Sequence, residues 1–173
     1  MAGWIALTLW MSANSNVVQP TRFDHVRSAE AEIRNLIAEG YTRSATFREL
    51  VDAVEDRPCI VYVSTVVKLS QGMRGALLHW TGGLDELPVL RVLVTTNKLA
   101  RDEAISVIAH ELQHVLEAVT ASPAGRVQVV AAFDRLAPTA RARDVRKYET
   151  DAAVAVTMKV GEELRRAARP RTP

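Results

Sequence analysis

Three residues in one five-residue stretch have the types and spacing needed to bind and use a metal ion. His110 and His114 are four positions apart, which is about one helical turn, so both imidazoles would leave the same face of a helix. Two imidazole nitrogens placed in this way can bind one Zn²⁺ ion at about 2.0–2.1 Å. Glu111 lies beside the pair, where its carboxylate can take a proton from a zinc-bound water without binding the ion. The pattern predicts a hydrolytic site with one zinc ion per chain.

A helix is the element expected to carry these residues. Apolar residues recur at helical spacing after Asn97, and Ser122-Pro123 ends the pattern. They are Ala104, Ile105, Ile108, Leu112, Val115, Leu116 and Val119. The three site residues lie in the middle of this predicted helix, directly after a strand-like run, and this context argues against two unrelated surface histidines.

The remaining elements predict an α+β fold. Three strand-like runs with short connections favour an antiparallel meander, and helical patterns precede and follow them. The predicted helices cover Asp24–Glu39 (capped by Asp24 and ended by Gly40), Thr46–Asp56 (with Thr46 as its cap), Gly125–Leu136 and Asp144–Ala168, and the strands cover Ile60–Val67, Ala76–Thr81 and Val89–Thr96. We therefore expect a small, mostly antiparallel sheet packed against the histidine-bearing helix and a later helix.

The segment Val107–Glu117 resembles the active-site helix of gluzincin-type zinc metallopeptidases, especially the short single-domain minigluzincins. The resemblance extends over roughly residues 89–156, through the strand before the helix and a later helix that bears a Glu. It implies a zincin-like fold and a peptidase that hydrolyses peptide or protein substrates. The hydrolytic water would be bound to zinc and activated by Glu111.

Two histidines leave a catalytic zinc ion one protein ligand short. Metzincins continue the motif with a Gly and a third His, but Glu117 and Thr120 occupy those positions. Peptide deformylases use an upstream cysteine, and Cys59 lacks the neighbours of that motif. The gluzincin resemblance implies a Glu from a downstream helix, and Glu149 is the best match. The residue pattern agrees, because Glu149 would begin an apolar helical stripe, where an unpaired carboxylate is costly to bury.

Larger gluzincins often place an acid four residues after the ligand Glu, where it orients a histidine. Ala153 occupies that position here. Asp151 is the nearest alternative acid, and Glu117 is a same-face neighbour of His114 with either a supporting or a surface role. The group that would fix the imidazole rings is therefore left open between these two residues.

The resemblance also implies where a substrate would bind. In gluzincins the strand before the active-site helix pairs with the substrate backbone by adding it to an exposed sheet edge. Val92, Leu93, Val94 and Thr95 would form that strand, although the same run also fits plain core sheet. A Tyr, His or Arg would stabilise the oxyanion, and the candidates are Tyr148, His79 and Arg146.

Charge and cysteine content exclude several classes of protein. The net charge of +2 is too small to argue for nucleic-acid binding, and the basic residues are spread along the chain except near its end. Cys59 is the only cysteine, so neither an internal disulfide nor a cysteine-based metal cluster can form.

The ends of the chain differ from its middle. An apolar run, Trp4–Met11, precedes the small residues Ser12–Ser15, which resembles an export signal over residues 1–20 and favours a periplasmic or secreted protein. The alternative is a cytoplasmic N-terminal segment. The run is too short to cross a bilayer, so no stable membrane insertion is expected. Residues 21–168 are predicted to form one domain, and residues 169–173 a disordered basic tail.

Three functional hypotheses follow. The first is a zinc peptidase, the second a non-catalytic zinc-binding regulatory or structural module of the same fold, and the third a helical interaction protein whose motif is coincidental. Glu111 argues against the second, because a structural zinc needs no such carboxylate and normally has four protein ligands. Metal content distinguishes the third hypothesis from the others, and the effect of Glu111→Gln on hydrolysis distinguishes the first two.

Overall fold

The computed structural model describes residues 23–69, 72–80, 87–97, 99–121 and 149–169, with only the backbone at His79 and Trp80. The described elements, in chain order, are β1 (Val26–Arg27), α1 (Ala31–Arg43), α2 (Ala45–Glu55), β2 (Ile60–Thr65), β3 (Gly75–Trp80), β4 (Val89–Val94), α3 (Arg101–Ala121) and α4 (Asp151–Ala167). The helices and the single four-stranded sheet of these residues confirm the predicted α+β class.

The sheet is mixed, with the strand order β1-β2-β4-β3. β3 and β4 pair antiparallel as predicted, but β2 pairs in parallel with both β1 and β4. The predicted meander, and with it the mostly antiparallel sheet, is therefore wrong. Thr65 at the end of β2 and Gly75 at the start of β3 both pair with Val94 of β4, so these two ends are separated by two strand spacings of about 4.8 Å each. β2 and β4 are the two inner strands, and the alternate residues Leu90, Val92 and Val94 of β4 are all buried.

The helices of the described part pack on one face of the sheet. Side chains alternate between the faces of a strand, and Val61 and Val63 of β2 are buried while Tyr62 between them is exposed. In β4, Arg91 is likewise exposed between two buried residues. The core therefore lies between this face and helices α1, α2 and α3.

The chain enters the sheet before the first helix begins. Val26 pairs with Val61 in β1, and the Glu55 carboxylate accepts hydrogen bonds from the backbone N–H groups of Asp24, His25 and Val26. Asp24 is thus not a helix cap, and α1 begins at Ala31 rather than near Asp24. This correction could not come from local pattern, because the strand exists only through its pairing with β2.

α1 and α2 meet at Ser44. The Ser44 hydroxyl accepts a hydrogen bond from the Phe47 N–H at 3.0 Å and caps α2, where Thr46 was predicted as the cap. Gly40 lies inside α1 and does not end it. A Cβ atom on residue 40 would lie 2.8 Å from Cγ2 of Ile105, so the glycine permits α1 to pack closely against α3.

Two polar clusters attach α4 to the other helices. The Glu163 carboxylate accepts hydrogen bonds from the hydroxyls of Ser44 and Thr46, at 2.6 and 2.8 Å. The Arg43 guanidinium donates to the Asp102 carboxylate at 2.7 Å and to the Leu164 carbonyl at 2.9 Å. These contacts join α4 to the α1–α2 junction and to the first turn of α3, while Val160 and Leu164 are buried in the core.

Several predictions concern residues outside the described ranges. They include the export segment over residues 1–20, the helix Gly125–Leu136 and residues 170–173 of the basic tail. The long helix predicted to begin near Asp144 begins at Asp151. Among the helices described, none combines the length and the apolar character needed to cross a bilayer.

Candidate metal centre

The histidine pair lies in the middle of α3, where the helix packs against α4. His114 is 4% exposed and His110 is partly buried. Their Nε2 atoms face each other at 3.1 Å. The spacing of four residues therefore brings two imidazole nitrogens together, as the helical periodicity predicts.

The hydrogen bonds of the other ring nitrogens determine which tautomers are present. The Thr157 hydroxyl donates its proton to the Ala153 carbonyl at 2.8 Å. It therefore accepts a hydrogen bond from Nδ1 of His110, which is 3.0 Å away. Nδ1 of His114 lies 3.0 Å from Oε2 of Glu117, and an ionised carboxylate can only accept. Both Nδ1 atoms therefore carry a proton. The two Nε2 atoms then carry lone pairs, and one metal ion could bind both.

Glu149 adds a third acceptor to the pair. Its Oε1 lies 3.3 Å from Nε2 of His110, and one ligand atom from each of His110, His114 and Glu149 lies within 4.8 Å of the other two. A tetrahedral zinc site with bonds of about 2.0–2.1 Å has ligand–ligand edges of about 3.3–3.4 Å. The separations of 3.1 and 3.3 Å match such edges, and a donor set of two imidazoles and one carboxylate suits zinc. The residues therefore fit a three-ligand metal site.

Electrostatics around the histidines also favour cation binding. Burial lowers the pKa of His110, and the neighbouring His114 lowers it further, although Glu149 opposes the shift. Burial would raise the pKa of Glu117, but hydrogen bonds from His114, Thr150 and Gln113 outweigh it and lower the pKa. A neutral His110 is the protonation state that metal ligation requires, and an ionised Glu117 can accept a hydrogen bond from Nδ1 of His114.

Glu111 differs from the three candidate ligands in both burial and surroundings. Its side chain is 5% exposed, and this burial raises its pKa to about 7 against the opposing influence of His114. It lies against β3, since a Cβ atom on Gly75 would be 2.3 Å from Oε1 of Glu111. The site thus contains a carboxyl group that can gain or lose a proton near neutral pH, beside the candidate metal ligands.

The structure brings together His110, His114 and Glu149, but Glu149 is not on a helix. Thr150, in extended conformation with φ −117° and ψ 149°, is the N-cap of α4, so Glu149 precedes the helix. Its side chain is 53% exposed and does not begin an apolar stripe as predicted. The sequence does contain a signal for this helix start, because a Thr is a typical N-cap residue and an Asp follows it directly in the first turn.

The structure distinguishes between the two residues that were predicted to orient a histidine ring. Asp151 is exposed in the first turn of α4, and Nδ1 of each histidine is bonded elsewhere, so Asp151 does not orient a ring. Glu117 does so for His114. Of the oxyanion candidates, Tyr148 and Arg146 lie outside the described residues, as does the side chain of His79.

The predicted substrate strand is also wrong in one respect. Val92, Leu93 and Val94 belong to β4, which is hydrogen-bonded to β2 on one side and to β3 on the other. No edge is available there for a peptide, and the N–H of the adjoining Thr95 already donates to the Arg74 carbonyl. Within the described part of the chain, β3 is the terminal strand at that side of the sheet.

Three residues that contact the site were not predicted. Thr157 fixes the ring of His110, Thr150 donates to Glu117 at 2.8 Å, and Gly75 makes room for Glu111. The sequence contains a weak indication of Thr157, since this residue follows Ala153 by one helical turn on the face towards α3. It contains no indication of Gly75, because the role of Gly75 depends on how the sheet packs against α3.

Comparison with known proteins adds no family to this description. The chain matches no protein-family model, and no curated protein or solved structure is similar enough to it to count as a match. The fold and site together define an α+β protein with a candidate His₂Glu metal centre.

Proposed function

We propose that this chain is a zinc-dependent peptidase. His110, His114 and Glu149 would hold the ion, and Glu111 would act as the general base. The observation that supports the proposal is the grouping of one ligand atom each from His110, His114 and Glu149 within 4.8 Å of one another. Two imidazoles and a carboxylate grouped in this way can bind one metal ion.

The chain's own residues suit hydrolysis of an amide. Zinc held at this site would supply a Lewis acid that polarises a carbonyl and lowers the pKa of water. Glu111, with a pKa raised to about 7, can accept a proton from water and deliver it to the departing amine nitrogen. Burial of Glu111 excludes bulk water from its carboxylate, and the closeness of Gly75 fixes one side of its position.

The peptide would bind along β3. Arg74 and Thr95 form a hydrogen-bonded pair across β3 and β4, and such pairs alternate with pairs whose N–H and C=O groups point away from the partner strand. Gly75, Leu77 and His79 therefore turn their backbone groups to the side of β3 that pairs with no other strand among the described residues. An extended peptide added there would begin beside Glu111. This replaces β4 as the proposed substrate strand.

Metal content is the test of this proposal. The purified protein would be saturated with zinc, desalted and examined by elemental mass spectrometry, together with Glu149→Ala and the matched control Asp151→Ala. We expect about one zinc per chain in the wild type and in Asp151→Ala, with a marked loss in Glu149→Ala. Equal zinc in both variants would rule out Glu149 as the third ligand.

Hydrolysis separates the peptidase from the non-catalytic module. Glu111→Gln should retain zinc, because Glu111 is not among the proposed ligands, and should lose cleavage of a fluorogenic peptide library. If the zinc-loaded wild type cleaves no peptide in such a library, the non-catalytic module becomes the better hypothesis. If the wild type binds no metal, both hypotheses fail.

A further inference from the structure

One hydroxyl group connects the two halves of the candidate metal centre. Thr150 accepts a hydrogen bond from the Ala153 N–H at 3.1 Å and so caps α4. The same hydroxyl donates to Oε1 of Glu117, on α3, at 2.8 Å. A hydroxyl has one proton to donate and can accept as well, so both bonds form at once and the single proton is committed to Glu117.

Glu117 carries this connection to the histidine. Its Oε2 accepts from Nδ1 of His114 at 3.0 Å, while its Oε1 also accepts from the Gln113 amide at 3.1 Å. An unbroken series of hydrogen bonds therefore runs from His114 to Thr150, the residue next to Glu149. We call His114, Glu117 and Thr150 the ligand bridge.

Glu149 depends on such a connection because its own side chain is poorly restrained. It is 53% exposed, and its described contact within the site is with His110 at 3.3 Å. An exposed carboxylate retains rotamer freedom, and ordering it costs free energy when it binds an ion. Fixing the backbone at residue 150 reduces that cost by holding residue 149 near the histidines before the ion arrives.

We infer that Thr150 and Glu117 are positioning residues that set the separation between His114 and Glu149, and thereby the affinity of the site for its metal. The inference rests on the metal site proposed above. It assigns the ligand bridge a function beyond helix capping. Groups that hydrogen-bond to metal ligands typically contribute about 10–100-fold to metal affinity.

The experiment is a zinc titration in competition with a chromophoric chelator, on the full chain. Thr150→Val removes the hydroxyl at nearly constant shape, and Glu117→Gln removes the charge while leaving the cap of α4 intact. Each should weaken zinc binding by about 10–100-fold. Thr150→Ser keeps the hydroxyl and should restore affinity close to that of the wild type. Combining Thr150→Val with Glu117→Gln should weaken binding by less than the product of the two single effects, since both belong to one bridge.

Glu163→Gln is the matched control. Glu163 also lies on α4 and also accepts from hydroxyl groups, those of Ser44 and Thr46, but it is at the far end of the helix from the site. We expect this variant to lower thermal stability of the metal-free protein and to leave zinc affinity unchanged.

The outcomes are distinct. A wild type that binds no zinc overturns the proposed function and this inference together. If the wild type binds zinc and Thr150→Val binds equally tightly while melting at a lower temperature, Thr150 is only a helix cap and the inference fails. Should Thr150→Val not fold, Glu117→Gln decides the matter, because unchanged affinity in that variant contradicts the bridge.

Discussion

Gly75, the first residue of β3, lies against the carboxylate of Glu111 in the middle of α3. A Cβ atom on residue 75 would be 2.3 Å from Oε1 and 2.7 Å from Cγ of Glu111, well inside van der Waals contact. The strand and the helix thus approach closely at the proposed general base. Because Glu111 is 5% exposed, its carboxylate has little room to move aside.

Gly75→Ala should therefore impair hydrolysis more than metal binding. The added methyl group must displace either the Glu111 side chain or the start of β3, and overpacking of this kind costs about 1–3 kcal/mol. We expect a large loss in kcat with zinc content retained, since none of the three proposed ligands is touched. Peptide cleavage and elemental analysis on the same preparation measure both effects.

Gly161→Ala is a suitable control for that substitution. Gly161 is buried inside α4, but an added Cβ would meet only the flexible end of Arg165 at 3.3 Å and the Ser106 hydroxyl at 3.6 Å. Replacing a helical Gly by Ala stabilises a helix by about 0.5–1 kcal/mol. The control should thus be as active as the wild type and slightly more stable. Similar losses of activity in the two variants would mean that Gly75 has no special relation to Glu111.

Glu111 should make the stability of the metal-free protein depend on pH. Its pKa in the folded state is raised by burial from 4.5 to about 7. Between these values the folded protein keeps a proton that the unfolded chain has lost, so the free energy of unfolding falls as the pH rises. The fall is at most about 1.4 kcal/mol per pH unit.

Glu111→Gln removes this contribution, because an amide does not titrate. In the presence of a chelator, the stability advantage of the variant over the wild type should be small at pH 4.5, grow up to pH 7 and stay constant above it. Urea unfolding of both proteins at several pH values measures the difference. Parallel pH profiles would show that Glu111 titrates normally in the folded state.

Local pattern was sufficient for much of the fold. The predicted bounds of α2, β2, β3 and β4 agree with the structure to within about two residues, the usual uncertainty of helix ends. Periodicity could predict these elements because the spacing of apolar residues within each segment indicates which of its faces is buried. The positions of His110, Glu111 and His114 on one helix could be predicted for the same reason, since their spacing fixes how they lie relative to one another.

The errors concern relations between distant segments. No local signal shows that β4 lies between β2 and β3. Strand order depends on which strands pair with one another, and the residues of a single strand do not specify its partners. Glu149 was placed on a helix because an apolar stripe follows it, whereas Thr150 caps α4 one residue later. Thr157 and Gly75 acquire their contacts only when α4 and the sheet pack against α3, so the sequence could not single them out.

Arg43 should contribute to stability through its shape as well as its charge. Its guanidinium reaches both the Asp102 carboxylate and the Leu164 carbonyl, joining α1, α3 and α4. A lysine ammonium is a point charge and cannot span both acceptors. Arg43→Lys should therefore lower the free energy of unfolding by about 1–3 kcal/mol, as measured by urea unfolding.

Arg101→Lys provides the comparison for Arg43. Arg101 pairs with Glu39, but its side chain is 52% exposed against 23% for Arg43. Exposed ion pairs contribute at most about 1 kcal/mol, so this variant should unfold nearly as the wild type does. Equal destabilisation by the two substitutions would argue that charge alone matters at Arg43, and not the ability of its guanidinium to reach two acceptors.

Thr157 tests whether the histidine tautomer limits metal binding. Its hydroxyl accepts from Nδ1 of His110 and so directs the lone pair to Nε2. Thr157→Val keeps the branched shape and should weaken zinc binding by about tenfold, while Thr157→Ser should not. The loss should be smaller than in Glu117→Gln, because hydrogen bonds to an ionised carboxylate are stronger than those to a neutral hydroxyl. Chelator competition measures both variants, and a Thr157→Val protein that binds zinc as tightly as the wild type would show that His110 does not need the Thr157 hydroxyl for metal binding.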